Sequence, residues 1–387
     1  MKITNKIKYV GVNDREIDLF EGQYTVPKGM AYNSYAIIDH KIAIMDSVDI
    51  RFSEEWIARI KNVLGTREPD YLVIQHMEPD HSSSIMKFAE SFPKAKIVSS
   101  AKAFNMMSGF FGRDFAENRI VVTEGDRLDL GKHSLKFMVA PMVHWPEVIM
   151  SYEESEGILF SADAFGKFGA LDTEEKWVCE ARRYYIGIVG KYGAQVQSVL
   201  KKMSELSLRK ICPLHGPVIG ENLEYYLSLY DTWSGYRPES DGVCIAYTSV
   251  YGNTRHAVEM LADLLRERGV ETVIYDLARC DIHKAVADAF RFDRLVLATT
   301  TYNGEIFPHM KEFIDHLTER GFQNRQVALI ENGSWAPMAT KIMKEMLKKS
   351  KNLRFTDNTV SIKSAINDDS KAQIKKLAEE LIKNLDL

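Results

Sequence analysis

The chain has 387 residues, 45% of them apolar and 27% charged, a balance that permits ordinary hydrophobic cores and, at this length, two domains. Its formal net charge of -4 supplies no basic field, which excludes nucleic acid as a partner on electrostatic grounds. No signal-like apolar stretch opens the chain and no run approaches a membrane span, so a cytoplasmic protein with no membrane partner is expected.

Apolar runs in the first part predict strands at 34–38, 42–45, 71–74, 96–99, 119–122, 135–139 and 157–160. Helical periodicity predicts helices near 54–63 and 83–91 and a long amphipathic helix over 182–206. Directly after the run Tyr71-Leu72-Val73-Ile74 comes His76-Met77-Glu78-Pro79-Asp80-His81, four metal-binding side chains in one turn. A solvated polar loop is the plainer alternative. Against it stand His144, Asp163 and His215, each just past another short apolar run. Imidazole nitrogen and carboxylate oxygen suit first-row metals, and seven such donors exceed what one tetrahedral ion needs. Two metal ions sharing one carboxylate are therefore expected.

The polar segment 234–242, with one Pro and two Gly, marks a boundary between a domain over 1–239 and another over 240–387. Beyond it, strands at 243–247, 270–275, 294–298 and 326–330 alternate with helices at 254–268, 309–320, 337–349 and 370–385. Such alternation predicts a doubly wound parallel sheet with ligands at the strands' carboxyl ends. Thr248-Ser249-Val250-Tyr251-Gly252-Asn253-Thr254 follows the first of these strands and opens a helix, which suits a phosphate dianion. It lacks the Lys of a Walker loop and is not GxGxxG, so a triphosphate or NAD is disfavoured. An ordinary capping turn would look similar, but two more loops favour a ligand. Thr299 leads into Thr300-Thr301-Tyr302-Asn303-Gly304, and Glu331 into Asn332-Gly333-Ser334-Trp335. Tyr302 and Trp335 are suited to flank a planar ring, and a flat heterocycle with a monophosphate is FMN.

The four cysteines, Cys179, Cys212, Cys244 and Cys280, form no CxxC pair, which excludes a zinc ribbon or rubredoxin-type site and predicts buried, reduced thiols. His40, His133, His256, His283, His309 and His316 lack clustered partners and are expected to be solvated. The lysine-rich run 341–349 predicts an exposed helix face, with guidance of an acidic carrier as a second reading.

On these motifs the first half resembles the metallo-β-lactamase superfamily, an αββα fold, and the second half resembles short-chain flavodoxins. Fused in this order they resemble a flavodiiron protein over nearly the whole chain. Where the superfamily's hydrolases carry His-x-His-x-Asp-His, Glu78 replaces the second histidine, and the harder, more anionic donor favours iron over zinc. The resemblance implies one iron on His76, Glu78 and His144 and the other on Asp80, His81 and His215, with Asp163 bridging; His81 is the ligand most open to turning away. It implies reduction of O2 to water, of NO to N2O, or both, with electrons delivered through FMN. Trp145 and Pro146 are candidates to exclude water from the metals, and Tyr24, Met30 and Tyr32 to approach the same pocket. A head-to-tail homodimer or a dimer of dimers is implied, in which the flavin of one subunit serves the partner's metals. With no rubredoxin extension after Leu387, an external donor is expected: rubredoxin, reduced deazaflavin or an NADH-linked reductase. The competing readings are a binuclear zinc hydrolase with an attached flavodoxin-like domain and a redox-sensing module with a structural metal.

Overall fold

A computed structural model describes residues 3–174 and 176–383. The chain divides into two compact units, Met1–Asp231 and Thr232–Leu387. The boundary segment read from composition, 234–242, starts on the last residue of the helix Leu223–Ser234 and ends on the first residues of the strand Ser240–Tyr247, with turn and loop over 235–239.

In the first unit the described residues build two main sheets. One runs in the order Ile7–Tyr9, Tyr35–Ile38, Ile42–Met45, Tyr71–Val73, Lys96–Ser99 and Arg119–Val121, antiparallel at its first two pairings and parallel thereafter. The other runs Arg127–Asp129, Ser134–Val139, Ile149–Glu153, Ile158–Phe160 and Lys210–Cys212. Alternation along paired strands decides which side chains meet in the middle. Tyr35 and Ile37, opposite Met45 and Ala43, turn inward against Phe137, Ile149, Ile158 and Phe160 to form one core. Helices complete the αββα layering. Ser53–Leu64 buries Trp56, Ile57, Ile60 and Leu64, the spacing of a single helical face, and stops at Gly65. Ala101–Phe111, a helix that sequence periodicity missed, is capped by the Ser100 hydroxyl accepting from the Ala103 N–H at 3.2 Å and is closed by left-handed Gly112.

The predicted continuous helix over 182–206 is broken. Trp177–Tyr184 and Gly193–Met203 are α-helical, but a π turn over Tyr185–Val189 and a 3-10 turn over Gly190–Tyr192 separate them. The Tyr24 hydroxyl donates to the Gly187 carbonyl at 2.8 Å, and the Tyr24 ring lies where a Cβ on Gly187 would stand, as close as 2.7 Å. A long-range contact thus engages a carbonyl that local periodicity had assigned to a helical ladder.

The second unit is a parallel sheet with Thr272–Asp276, Ser240–Tyr247, Phe292–Tyr302 and Gln326–Asn332 side by side and Arg354–Phe355 and Val360–Ile362 on the last; short Glu305–Ile306 pairs antiparallel with Phe292–Tyr302. Chain order reverses between Ser240–Tyr247 and Phe292–Tyr302, the switch point at which a crevice opens. Val243, Ile245 and Tyr247 alternate onto the face covered by Leu261 and Leu265 of the helix Asn253–Glu267 and by Ile374, Leu377 and Leu381 of the helix Asp368–Ile382. The last helix begins with a capping box between Asn367 and Ser370, and the end of its predicted span, 384–385, lies outside the described residues.

Two smaller expectations are corrected. Cys212 and Cys244 are buried, but Cys179 is exposed and Cys280 half-buried. His133 and His283 are buried rather than solvated, because each has a companion that covers it: His133 Nδ1 lies 3.0 Å from Glu153 Oε1, and the His283 ring packs edgewise on His316 at 5.0 Å. No helix among the described residues is long and apolar enough to cross a membrane.

Candidate functional site

The seven candidate metal ligands converge from four strand ends. His76 to His81 follow Tyr71–Val73, His144 follows Ser134–Val139, Asp163 follows Ile158–Phe160 and His215 follows Lys210–Cys212. Pro79 starts a short helix, Pro79–Ser82, within what the sequence presented as a plain loop, so Asp80 and His81 leave a helical turn.

The donor atoms form two lobes. In the first, His144 Nε2 stands 3.1 Å from Glu78 Oε2, 3.1 Å from Asp163 Oδ2 and 3.3 Å from His76 Nε2. In the second, His81 Nε2 stands 3.0 Å from His215 Nε2, 3.3 Å from Asp80 Oδ2 and 3.2 Å from Asp163 Oδ1. Asp163 therefore offers one oxygen to each lobe. His81 turns inward with the rest.

Tautomers follow from the outer hydrogen bonds. His215 Nδ1 lies 2.8 Å from the Ala31 carbonyl, which can only accept, so Nδ1 carries the proton and Nε2 presents a lone pair. His76 Nδ1 likewise faces Glu147 Oε1 at 2.8 Å, leaving its Nε2 toward the lobe. Imidazole Nε2 atoms 3.0–3.3 Å apart among carboxylates fit a cation at their focus, and Asp80 Oδ1, Asp80 Oδ2 and Asp163 Oδ1 are buried with no hydrogen-bond partner. Burial alone would raise Asp163, yet the imidazoles of His76, His144 and His81 hold it well below the usual carboxylate range. His144 shows the converse: burial opposes its charge, and Asp163 and Glu78 still raise it to about 9. Donors, burial and field all fit a pair of metal ions, and the mixed N/O set with no sulfur fits iron.

Side chains that sequence reasoning passed over close the cage. Glu147 also accepts the Met77 N–H at 2.9 Å; burial would raise its carboxyl, but the hydrogen bond from His76, that ring's charge and the Met77 N–H together hold it low. Its place three residues after His144 was the one available signal. Asp46, just beyond the strand Ile42–Met45, accepts from the Gln75 N–H at 2.7 Å and Gln75 Nε2 at 2.8 Å, and burial pushes it up to about 6. Phe20 packs edgewise on His215 at 5.4 Å, and Tyr184 lies 5.5 Å from the same ring. Glu21 is exposed as a residue, yet its carboxyl end faces Glu78; shielding there, and then the Glu78 charge, push it up to about 7. Nothing local in the sequence marks Phe20, Glu21 or Tyr184. Of the weaker candidates, half-buried Trp145 packs edgewise on His76 at 5.2 Å and Tyr32 lies 6.0 Å from His215, whereas Pro146 is exposed, Met30 is buried and Tyr24 packs on Phe168.

The second site is a cavity of about 650 Å³ in the second unit, at the switch point of the parallel sheet. Ser249, Tyr251, Asn253, Thr254, Thr300, Thr301, Tyr302, Asn303, Gly304, Asn332, Gly333, Ser334 and Trp335 line it, as the sequence proposed, and Val250, Ala336, Met338 and Ser364 join them. Two of the proposed residues act from behind the wall. Thr248 is fully buried, with its hydroxyl 2.6 Å from that of Thr299, and Gly252, at φ +90°, turns the loop into the helix. The hydroxyls of Thr254 and Thr300 are buried without a partner, a vacancy that a phosphate or a ring-edge group satisfies. Tyr251 and Trp335 are each 92% exposed and Tyr302 45%, an uncommon display of aromatic area unless a flat ligand covers it. Hydroxyls and a helix N-terminus at one end and aromatic walls at the other fit FMN.

The family model described as ODP family beta lactamase matches residues 30–216, and the flavodoxin domain model matches residues 244–362. An uncharacterised protein of Methanocaldococcus jannaschii is 29% identical over 90% of this chain and 89% of its own length. The anaerobic nitric oxide reductase flavorubredoxin of Escherichia coli is 28% identical over 86% of this chain and 72% of its own. Among solved structures, rubredoxin oxygen:oxidoreductase from Desulfovibrio gigas superposes with a TM-score of 0.90 at 24% identity, covering 99% of this chain and 97% of that one. The flavodiiron protein of Giardia intestinalis gives a TM-score of 0.87 at 24% identity, with 98% and 96% covered.

Proposed function

The chain belongs to the flavodiiron proteins, joining an ODP-family β-lactamase domain to a flavodoxin domain in that order, and on this premise we propose that it reduces O2, NO or both at a diiron centre. The observation that carries the reading is the sharing of Asp163 between two lobes of nitrogen and oxygen donors. His76, Glu78 and His144 would hold one ion, Asp80, His81 and His215 the other, with Asp163 across both. FMN held in the second site would take electrons singly or in pairs, and a pair of ferrous ions would supply them to a diatomic oxidant.

The chain's own residues then have separate tasks. The 248–254 loop binds the flavin phosphate through hydroxyls and N–H groups, and Tyr302 and Trp335 orient the ring. Trp145 and Phe20, packed edgewise on His76 and His215, exclude bulk water from those imidazoles. Glu21 brings a carboxyl to the edge of the cage beside Glu78, a place from which a proton consumed in forming water can be handed inward. Electrons come from an external carrier such as rubredoxin, a reduced deazaflavin or an NADH-linked reductase. We propose a head-to-tail homodimer in which each flavin serves its partner's metals. The test is anaerobic stopped-flow mixing of reduced protein with O2 and, separately, with NO. Rapid flavin reoxidation by at least one gas is expected, and failure with both would remove the reductase reading. Zinc in protein grown with adequate iron, together with no reoxidation by either gas, would instead favour the hydrolase alternative.

A further inference from the structure

The two lobes differ behind their ligands. In the first, His76 is backed by Glu147, both side chains fully buried. Glu147 is tied down by two further contacts: its Oε1 accepts the Met77 N–H at 2.9 Å and its carbonyl accepts the Ser100 hydroxyl at 2.9 Å. Its other carboxylate oxygen, Oε2, is buried with no hydrogen-bond partner, so the negative charge is delivered chiefly through the imidazole. In the second lobe, His215 is backed by the neutral Ala31 carbonyl at 2.8 Å, and the outer nitrogen of His81, Nδ1, is buried without a hydrogen-bond partner. Counting carboxylates that act on each lobe directly or through one imidazole gives Glu78, Asp163 and Glu147 for the first but only Asp80 and Asp163 for the second.

We infer that Glu147 is a positioning residue that makes the two metal positions inequivalent, so that the His76–Glu78–His144 position fills first and holds its ion more tightly than the Asp80–His81–His215 position. The physical reason is that a carboxylate accepting the outer N–H of a ligating imidazole both fixes the ring and raises its basicity, an effect typically worth 10- to 100-fold in metal affinity. A carbonyl in the same place fixes the ring but adds no charge. This inference rests on the two-ion reading above.

The experiment is an anaerobic titration of iron-stripped, flavin-replete protein with Co(II), followed by its visible d–d absorption. The native protein is expected to fill in two steps. In Glu147→Gln the tighter step should weaken by roughly 10- to 100-fold with the second step unmoved, and Glu147→Asp should recover most of the loss. Asp80→Asn should abolish the weaker step and leave the tighter one intact, which identifies the lobes even if Glu147→Gln fails to fold. Equal weakening of both steps in Glu147→Gln, or loss of the tighter step in Asp80→Asn, would overturn the inference while leaving the diiron reading in place. Uptake of fewer than two ions by the native protein would instead overturn the two-ion reading itself, and the inference with it.

Discussion

Gly252 separates backbone geometry from side-chain contact at the flavin site. It stands at φ +90° and ψ -15°, just before the helix Asn253–Glu267, and a Cβ there would meet nothing within 4 Å. Gly252→Ala therefore introduces no clash, only the preference of an L-residue against a left-handed conformation, about 1–2 kcal/mol. Tyr251, Gly252 and Asn253 are exposed, so the flavin-free loop is able to relax out of the strained conformation, and the cost falls on binding. At 1.4 kcal/mol per decade, FMN should bind roughly 5- to 30-fold more weakly. Gly269, beyond the other end of the same helix, is the control: its φ is +76° and its Cβ position is equally open. Gly269→Ala should lower the melting temperature by a few degrees and leave FMN affinity alone. Fluorescence titration of FMN into flavin-stripped protein, paired with thermal melts, gives both readouts. A folded Gly252→Ala variant that binds FMN as tightly as the native chain would refute the assignment of this turn to the phosphate.

Three other outcomes are expected. Asp163→Asn replaces a lone-pair oxygen with an N–H2 group facing one lobe, so metal analysis should find no more than one iron per chain and gas turnover should vanish; two retained irons with turnover would contradict the bridge. Glu78→His restores the donor pattern of the hydrolases and should shift the metal content of purified protein from iron toward zinc with loss of gas reduction, a conclusion undone by unchanged iron and activity. Co-expression of Gly252→Val with Asp163→Asn, assayed with FMN too dilute to fill the weakened site, should yield mixed dimers that turn over although neither parent does, because head-to-tail pairing leaves one intact flavin opposite one intact metal site; silence of a verified mixed dimer would count against that pairing.

Much of the fold was legible because its signals are local. The continuous apolar runs of Tyr35–Ile38 and Ile42–Met45, the single apolar face of Ser53–Leu64 and the strand–helix alternation after residue 240 are each carried by residues close in sequence. Elements shorter than a period escaped. The paired strands Leu19–Phe20 and Tyr24–Thr25 are two residues each and carry no pattern, and Ile282–Arg291 was missed although its face is strongly apolar, since its alanines look neutral in a polar stretch. Buried His133 was misread for a related reason: the residue that covers it, Glu153, lies on a separate strand.

The metal ligands were readable because each sits one to a few residues past a strand, where a buried run ends and a polar side chain has only the open edge to face. What surrounds them was not. Phe20 and Glu21 belong to the patternless hairpin, and Tyr184 closes a helix that periodicity extended too far. These misses share a cause. Tyr24, on the same hairpin, takes the Gly187 carbonyl, and the π turn that results lies directly after Tyr184, whose ring packs against His215. This outright disagreement between local propensity and the folded chain thus falls where a segment distant in sequence has been recruited to wall the cage, the kind of conflict that proteins tolerate when a site requires it.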